Sequence, residues 1–178
     1  RDSLHTPHGD PWMRYVQGVI AQYDQHDVRC PGLDVAVVSS VPPGGGLSSS
    51  AALELATAHL LEAVTGQTLT PAERIQASVQ AERDMAGVPC GIMDQTVVEL
   101  AASGQALLLD CLDQTARSVP FDSQAPALLV IHSGVSHSLA EGAYAQRRAE
   151  CERASALLGV NSLREVSPDL SLIHISEP

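Results

Sequence analysis

The sequence predicts a mixed fold of the α/β (α+β) class, on three observations. A β-branched stretch from Asp34 to Val41 leads through consecutive glycines into a helical pattern that ends at Gly66. Thr70-Pro71-Ala72-Glu73 has the form of a capping box, which begins a further helix. Apolar stretches at 104–111 and 127–132 are typical of buried strands bounded by turn residues. Strands and helices therefore follow one another along the chain.

Composition excludes several classes of protein. Acidic residues outnumber basic ones by 21 to 10, and the net charge of −11 disfavours nucleic acid as a partner. The apolar runs are too short to cross a bilayer and no secretory leader opens the chain, which predicts a cytoplasmic protein without a membrane partner. The four cysteines form neither a metal pattern nor a close pair, so reduced thiols are expected.

The first predicted helix begins at Asp10-Pro11, where a capping residue is followed by proline at the first helical position. It is expected to run to about Gln22. Trp12, Val16 and Ile20 recur at helical spacing and mark its inner face. By this spacing alone, Trp12 is a residue of the core or of its shoulder.

The stretch from Gly44 to Ala52 is a glycine turn that runs directly into the next helix. Glycines let the backbone approach a ligand closely, and the start of a helix presents N–H groups that have no intrahelical partner. Together they predict an anion site for phosphate, whereas the alternative is an ordinary helix with a serine cap. The turn is not a Walker A loop, because no lysine follows the glycines. The apolar positions that predict the inner face of this helix are Leu53, Ala56, Leu60, Leu61 and Val64.

The helix that begins at the capping box places a carboxylate on its apolar face. Ile75 and Val79 mark this face, and Glu82 lies on it seven residues after Ile75. A buried carboxylate needs a partner, because burial of an unpaired charge is costly. The partner is either an arginine in a structural pair or Mg²⁺, which prefers carboxylate and phosphate oxygens.

Residues 87–95 form a turn that delivers Asp94 into an otherwise apolar neighbourhood. Spacing alone makes Asp94 the N-cap of a short helix from Gln95 to Ala102. The same carboxylate is the strongest catalytic candidate in the chain, since a general base must be held close to its substrate.

The last predicted helix runs from about Glu141 to Leu158 and stops at Gly159. Tyr144 lies on its apolar side, and by spacing alone it is a core residue. His132 and His137 are either hydrogen-bonded structural residues or a metal pair, and the lack of a third ligand nearby in sequence favours the first interpretation.

Several of these stretches resemble a known family. Residues 42–52, Pro-Pro-Gly-Gly-Gly-Leu-Ser-Ser-Ser-Ala-Ala, resemble the phosphate-binding signature of the GHMP kinases, named for galactokinase, homoserine, mevalonate and phosphomevalonate kinases. Residues 81–95, Ala-Glu-Arg-Asp-Met-Ala-Gly-Val-Pro-Cys-Gly-Ile-Met-Asp-Gln, resemble the galactokinase family in particular. Stretches 133–139 and 144–152 are similar to the segment that joins the two domains of that family. The resemblance extends from about Trp12 to Val166.

The resemblance implies a two-domain GHMP kinase fold, of which this chain carries only a part. Residues 1–126 correspond to the later part of the N-terminal, ATP-binding domain, and residues 127–168 to the interdomain segment and the start of the C-terminal domain. Residues 169–178 match nothing in the family and are interpreted as a non-native tail. The N-terminal sugar-binding signature and the C-terminal glycine-rich motif are absent from the chain. The chain alone is therefore expected to be inactive, and its parent protein active.

The implied reaction is transfer of the ATP γ-phosphoryl group to the C1 hydroxyl of galactose, which gives galactose 1-phosphate. ATP is then the co-substrate, Mg²⁺ the metal and galactose the acceptor. The resemblance implies ATP-binding roles, with the adenine beside the tryptophan and the phosphates on the turn, for Trp12, Gly44, Gly45, Gly46, Leu47, Ser48, Ser49 and Ser50.

The remaining implied roles concern the metal and the sugar. Ser49 and Glu82 hold Mg²⁺, and Asp94 accepts the proton of the sugar hydroxyl. Gly91 and Tyr144 line the sugar pocket, together with Asp94. Two alternatives stay open: another sugar-1-kinase of the superfamily, such as an N-acetylgalactosamine kinase, or a sensor that binds galactose and ATP without turnover. No residue pattern indicates an oligomeric state.

Overall fold

The computed structural model of the protein describes residues 6–121, 128–131 and 142–167. The chain divides into two units, residues 1–140 and 141–178. The domain boundary expected at residue 126 falls in a stretch outside the described residues, and it stays a prediction.

The described residues of the first unit form four helices, a π-helical turn and a hairpin. Helix α1 (Met13–Gln25) packs against α2 (Ser49–Thr65), α3 (Pro71–Ala81) and the π-helical turn (Glu82–Ala86). Helix α4 (Met93–Leu100) packs on α2 and α3. The core between them is formed by small and apolar side chains, namely Val19, Tyr23, Val28, Ala58, Leu61, Ala77 and Ala81.

Helix α1 starts two residues after Pro11 and runs three residues beyond the predicted end at Gln22. Its buried face is also different from the predicted one, since Gly18, Val19 and Tyr23 face the core. The reason is close packing on α3, because a Cβ at Gly18 would lie 2.8 Å from the carbonyl oxygen of Ala81. The glycine therefore sets which side of α1 turns inward.

Helix α2 ends at Gly66 in the left-handed conformation, as predicted. The predicted inner face is confirmed at Leu61, which is buried in the core, but it is wrong at Ala56 and Val64, which are exposed. The buried side chains of α2 include two carboxylates, Glu54 and Glu62, beside apolar neighbours. Polar partners on other helices make this burial possible, and hydrophobic periodicity does not report them.

The capping box at the start of α3 is confirmed. The Glu73 backbone N–H donates to Thr70 Oγ1 at 3.3 Å, and the Thr70 N–H donates to Glu73 Oε2 at 2.8 Å. Ile75, Val79 and Glu82 are all buried, as the spacing predicts.

The strand expected from Asp34 to Val41 is wrong. This segment belongs to no sheet of the described residues, and Val38 is 95% exposed. A strand requires a neighbour with which to exchange backbone hydrogen bonds, and β-branched composition does not supply one.

The described sheet is an antiparallel hairpin of β1 (Gln105–Asp110) and β2 (Thr115–Pro120), with Gln105 opposite Pro120. The strand predicted at 104–111 is confirmed as β1, but its predicted burial is wrong, because one hairpin cannot cover both of its faces. The sequence analysis missed β2. Of the strand predicted at 127–132, residues 128–131 are exposed and form no strand, while 127 and 132 lie outside the described residues.

The second unit contains α5 (Ala143–Leu158) and a short 3₁₀ turn (Leu163–Glu165). Helix α5 ends at Gly159 in the left-handed conformation, as predicted. The core assignment of Tyr144 is wrong, since its side chain is 52% exposed. His132, His137 and the tail 169–178 lie outside the described residues. Across the described ranges, the helices lack the length and apolar content needed to cross a membrane.

Candidate active site

A cavity of about 760 Å³ lies where the glycine turn meets α1, α2 and α4. The turn and the first residues of α2 form one side, and α1 contributes aromatic side chains. The residues that line the cavity include Trp12, Tyr15, Gly44, Gly45, Gly46, Ser48, Ser49, Ser50, Leu53, Ala56 and Asp94.

The glycine turn has an unusual backbone. Gly44 and Gly46 have φ angles of +69° and +71°, which glycine adopts without a steric penalty. Ser48, the N-cap of α2, is also left-handed, with φ +54°. In the described residues the Ser48 side chain makes no capping hydrogen bond, and no acidic residue lies in the first turn of α2. The positive end of α2 is thus left available to an anion in the cavity.

The aromatic wall comes from α1. Trp12 is 48% exposed and lines the cavity, so the core alternative is wrong for this residue. Tyr15 lies one helical turn further along α1 and lines the same cavity. The sequence analysis missed Tyr15, although its spacing of three residues from Trp12 places both on one helix face. Leu53 and Ala56 of α2 point here too, which is why they do not join the core.

Asp94 lies in the first turn of α4 and lines the same cavity as the glycine turn. Its predicted N-cap role is wrong, because the N-cap is Ile92 and the helix already includes Met93. Helix α4 ends at Leu100, two residues before the predicted end. The carboxylate of Asp94 is half-buried, so it combines access to a ligand with a fixed position.

Behind this side of the cavity, two buried carboxylates share one amide. The Gln95 Nε2 donates to Glu82 Oε2 at 2.7 Å and to Glu54 Oε2 at 3.0 Å. The side chains of Glu54 and Gln95 are fully buried, and Glu82 is 3% exposed. The arginine partner considered for Glu82 is wrong for the described residues, where its carboxylate accepts hydrogen bonds from Gln95 and from the Cys90 thiol and forms no ion pair. Burial, followed by the charges of Glu82 and Glu54, raises the pKa of Tyr15.

The Glu54 carboxyl makes the free energy of unfolding depend on pH. Burial, and then the charge of Glu82, raise its pKa from 4.5 to about 8. Between these values the folded chain holds a proton that the unfolded chain has lost, so the stabilising contribution is complete below pH 4.5 and disappears as pH rises through about 8.

We expect Glu54→Gln to remove this pH dependence, because glutamine does not ionise. In urea denaturation at about pH 5 and at about pH 9, the free energy of unfolding of the variant should rise relative to the parent chain at the higher pH. A difference between the two proteins that is the same at both pH values would contradict a protonated Glu54.

Comparison with known proteins places this site in a family. A family model described as the GHMP kinases N terminal domain matches residues 14–102, which include the glycine turn and Asp94. The chain belongs to the GHMP kinases. Residues 14–102 therefore correspond to the N-terminal domain of that family.

Relatives of this GHMP kinase are galactokinases. Galactokinase from Bos taurus is 47% identical over 161 residues, 90% of this chain and 40% of the relative. Galactokinase from Homo sapiens is 46% identical over 155 residues, 87% of this chain and 39% of the relative. The chain therefore spans about two fifths of the length of these curated relatives.

A solved structure shows the fold of this GHMP kinase. The crystal structure of Lactococcus lactis galactokinase complexed with galactose matches with a TM-score of 0.75 at 24% identity. The match covers 98% of this chain and 46% of that chain. The α/β (α+β) fold class predicted from the sequence is confirmed.

In the structure of this GHMP kinase, most of the residues predicted to bind ATP line one cavity. Some of the other predicted site residues do not line it. Leu47, Glu82 and Gly91 are not among its lining residues. Tyr144 belongs to the second unit. Glu82 lies behind the wall, close enough for its charge to act on Tyr15.

The donors near the cavity fit magnesium in their chemistry. Carboxylate and hydroxyl oxygens suit this cation, which usually takes one or two protein carboxylates and completes its shell with phosphate and water. The buried Oε1 of Glu54 has no hydrogen-bond partner in the described residues, and Glu54 and Glu82 accept hydrogen bonds from the same Gln95 amide, so an unpaired oxygen lies close to Glu82. Among the described residues, no three or more His, Cys, Asp or Glu side chains are grouped so that they could hold a metal ion by themselves.

Proposed function

We propose that this chain is the phosphate-binding part of a galactokinase, which transfers the ATP γ-phosphoryl group to the C1 hydroxyl of galactose. The observation that carries the proposal is one cavity lined by both the open N-terminus of α2 and the Asp94 carboxylate. The 46–47% identity to galactokinases over most of the chain supports galactose as the acceptor. The four cysteines form no disulfide in the structure, which supports an enzyme of the cytoplasm.

The glycine turn holds the phosphates in this proposal. The N–H groups of Gly45, Gly46 and Leu47, with the start of α2, donate to the β- and γ-phosphate oxygens. The hydroxyls of Ser48, Ser49 and Ser50 add further donors. Phosphoryl transfer depends mainly on positioning and on charge neutralisation, both of which this end of the helix supplies.

Asp94 receives the proton in the proposed chemistry. The C1 oxygen of galactose forms a bond to the γ-phosphorus while the bond from that phosphorus to the ADP oxygen breaks. The proton of the C1 hydroxyl passes to the Asp94 carboxylate, and ADP leaves with its new charge on the phosphate held by α2. The half-buried position of Asp94 fixes the carboxylate for this transfer.

The other proposed roles surround these two groups. Trp12 provides a flat apolar face for the adenine at the mouth of the cavity. Ser49 and Glu82 would hold Mg²⁺, which would offset the charge of the phosphates. Gly91 and Tyr144 are proposed to contact the sugar, on the strength of the galactokinase resemblance.

The conformation of the glycine turn gives a direct test of phosphate binding. We expect Gly46→Ala to lower ATP affinity of the 178-residue chain by about tenfold or more, because alanine resists the left-handed φ and displaces the N–H groups of the turn. Isothermal titration calorimetry with ATP and magnesium measures this loss.

Gly66→Ala is the matched control for that substitution. Gly66 has φ +73° against +71° at Gly46, and at both positions an added Cβ meets no atom of the structure within 4 Å. Gly66 lies at the opposite end of α2, so both variants should lose similar stability, of about 1–2 kcal/mol, while only Gly46→Ala loses ATP affinity. Equal loss of affinity in both variants would contradict a phosphate site at the turn.

A further inference from the structure

The amide of Gln95 joins three elements at one nitrogen. Its Nε2 donates to Glu82 at the start of the π-helical turn and to Glu54 in α2, at 2.7 Å and 3.0 Å. Gln95 itself lies in the first turn of α4, next to Asp94. The three elements that carry the proposed phosphate, metal and proton-accepting groups therefore meet at a single side chain.

The charges around this nitrogen make glutamine suited to the position. No arginine is ion-paired with Glu54 or Glu82 within the described ranges, and the chain contains no lysine. One NH₂ group offers two hydrogens, which is enough for one hydrogen bond to each carboxylate. If the amide were reversed, its oxygen would face the Glu82 carboxylate, which offers no hydrogen and would repel it. The orientation of the Gln95 amide is therefore fixed by its neighbours.

These contacts differ from ordinary core packing in one respect. Glu54 Oε1 and Gln95 Oε1 are buried and have no hydrogen-bond partner in the described residues. Leaving such atoms unpaired costs stability, and a packed apolar core would avoid that cost. Polar groups retained at this cost beside a candidate site are typical of functional positioning.

We propose that Gln95 is a positioning residue, which holds the Glu82 carboxylate in the orientation that takes the metal and ties it to the helix that carries Asp94. This inference rests on the proposed function, since it assumes that Glu82 takes part in holding Mg²⁺. Glu54 acts with Gln95, because it accepts the second hydrogen of the amide and so keeps the amide from turning away. Partners that orient a metal ligand commonly contribute about 10- to 100-fold to metal affinity.

The test is a titration of the 178-residue chain with Mn²⁺ in the presence of ATP and without sugar. The electron paramagnetic resonance signal of free Mn²⁺ measures how much of the metal is bound. We expect Gln95→Leu to weaken Mn²⁺ binding by about 10- to 100-fold. Binding of ATP in the presence of a metal chelator should change by less than about threefold, because the turn is untouched. A folded Gln95→Leu variant that keeps Mn²⁺ affinity within about twofold of the parent chain would overturn the proposal.

Two substitutions at Glu54, the second acceptor of the Gln95 amide, also test whether this amide positions Glu82. Glu54→Leu removes the acceptor and should weaken Mn²⁺ binding, whereas Glu54→Gln keeps an oxygen acceptor and should largely restore it. Equal weakening by both variants would contradict the role given to the amide. These variants also keep the proposal testable if Gln95→Leu does not fold.

Thr96→Val is the matched control for a change in α4. Thr96 is buried beside Gln95, and its hydroxyl donates only within the helix, to the carbonyl oxygen of Ile92 at 2.8 Å. This variant should lose stability without a loss of Mn²⁺ affinity. If the unsubstituted 178-residue chain binds neither ATP nor Mn²⁺ in the presence of ATP, the proposed function itself fails. If that chain binds both and Gln95→Leu keeps the same Mn²⁺ affinity, only the present inference fails.

Discussion

Asp94→Asn is expected to reduce the kcat of galactose phosphorylation by about 10²- to 10⁴-fold, the usual contribution of a general base. The substitution keeps the size of the side chain and its place in the first turn of α4, but asparagine does not accept the proton of the sugar hydroxyl. The assay is ATP consumption with galactose by the full-length product of the coding sequence that contains these residues. ATP affinity should change little, because the glycine turn is unaltered.

Asp84→Asn is the matched control for the loss of a carboxylate. Asp84 is exposed and does not line the cavity, and its two oxygens accept hydrogen bonds from Gln22 and Gln80, one of which asparagine can still accept through its carbonyl oxygen. Its kcat should stay near that of the parent enzyme. Full activity of Asp94→Asn would show that the carboxylate neither accepts the proton nor orients the sugar.

Arg74→Met is expected to lower the free energy of unfolding by about 3–5 kcal/mol, because it leaves buried carboxylates without their cation. Arg74 NH1 donates to both oxygens of Glu62 at 2.8 Å, and NH2 lies 2.8 Å from Glu99. The Tyr23 hydroxyl also donates to Glu62, at 2.9 Å, so the network joins all four helices of the first unit. Urea denaturation of the 178-residue chain measures the loss.

Arg147→Met is the control that distinguishes the loss of a buried ion pair from the loss of an exposed one. Arg147 pairs with Glu150 at 2.9 Å but is 77% exposed, against 11% for Arg74. Its substitution should change the free energy of unfolding by less than about 1 kcal/mol. A loss for Arg74→Met as small as that of this control would contradict a stabilising role of the buried network.

Local signals account for the features that the sequence predicted correctly. The capping box at Thr70 and the helix ends at Gly66 and Gly159 depend on a few adjacent residues, and all three agree with the structure. The strand expected from Asp34 to Val41 failed for the opposite reason. Its existence depends on a neighbouring strand, which the residues themselves do not specify.

The residues of the candidate site show the same difference between local signals, which the sequence reveals, and contacts between distant residues, which it does not. The glycine turn and Asp94 were found as motifs, and the structure places both on one cavity. Gln95 and Glu54 were missed, because a hydrophobic pattern assigns no role to polar side chains that are buried against each other across helices. One signal was present: Glu54 and Glu62 are eight residues apart in α2, which places both on the same face as Ala58.

The measurement that tests the central claim most directly is ATP turnover by the full-length product with galactose, and in parallel with N-acetylgalactosamine and with mevalonate. We predict formation of ADP and galactose 1-phosphate in equal amounts with galactose, and loss of this activity in Asp94→Asn. Binding of both ATP and galactose without formation of ADP would contradict the account and indicate a sensor. Turnover with another acceptor but not with galactose would contradict the proposed substrate while leaving the kinase chemistry in place.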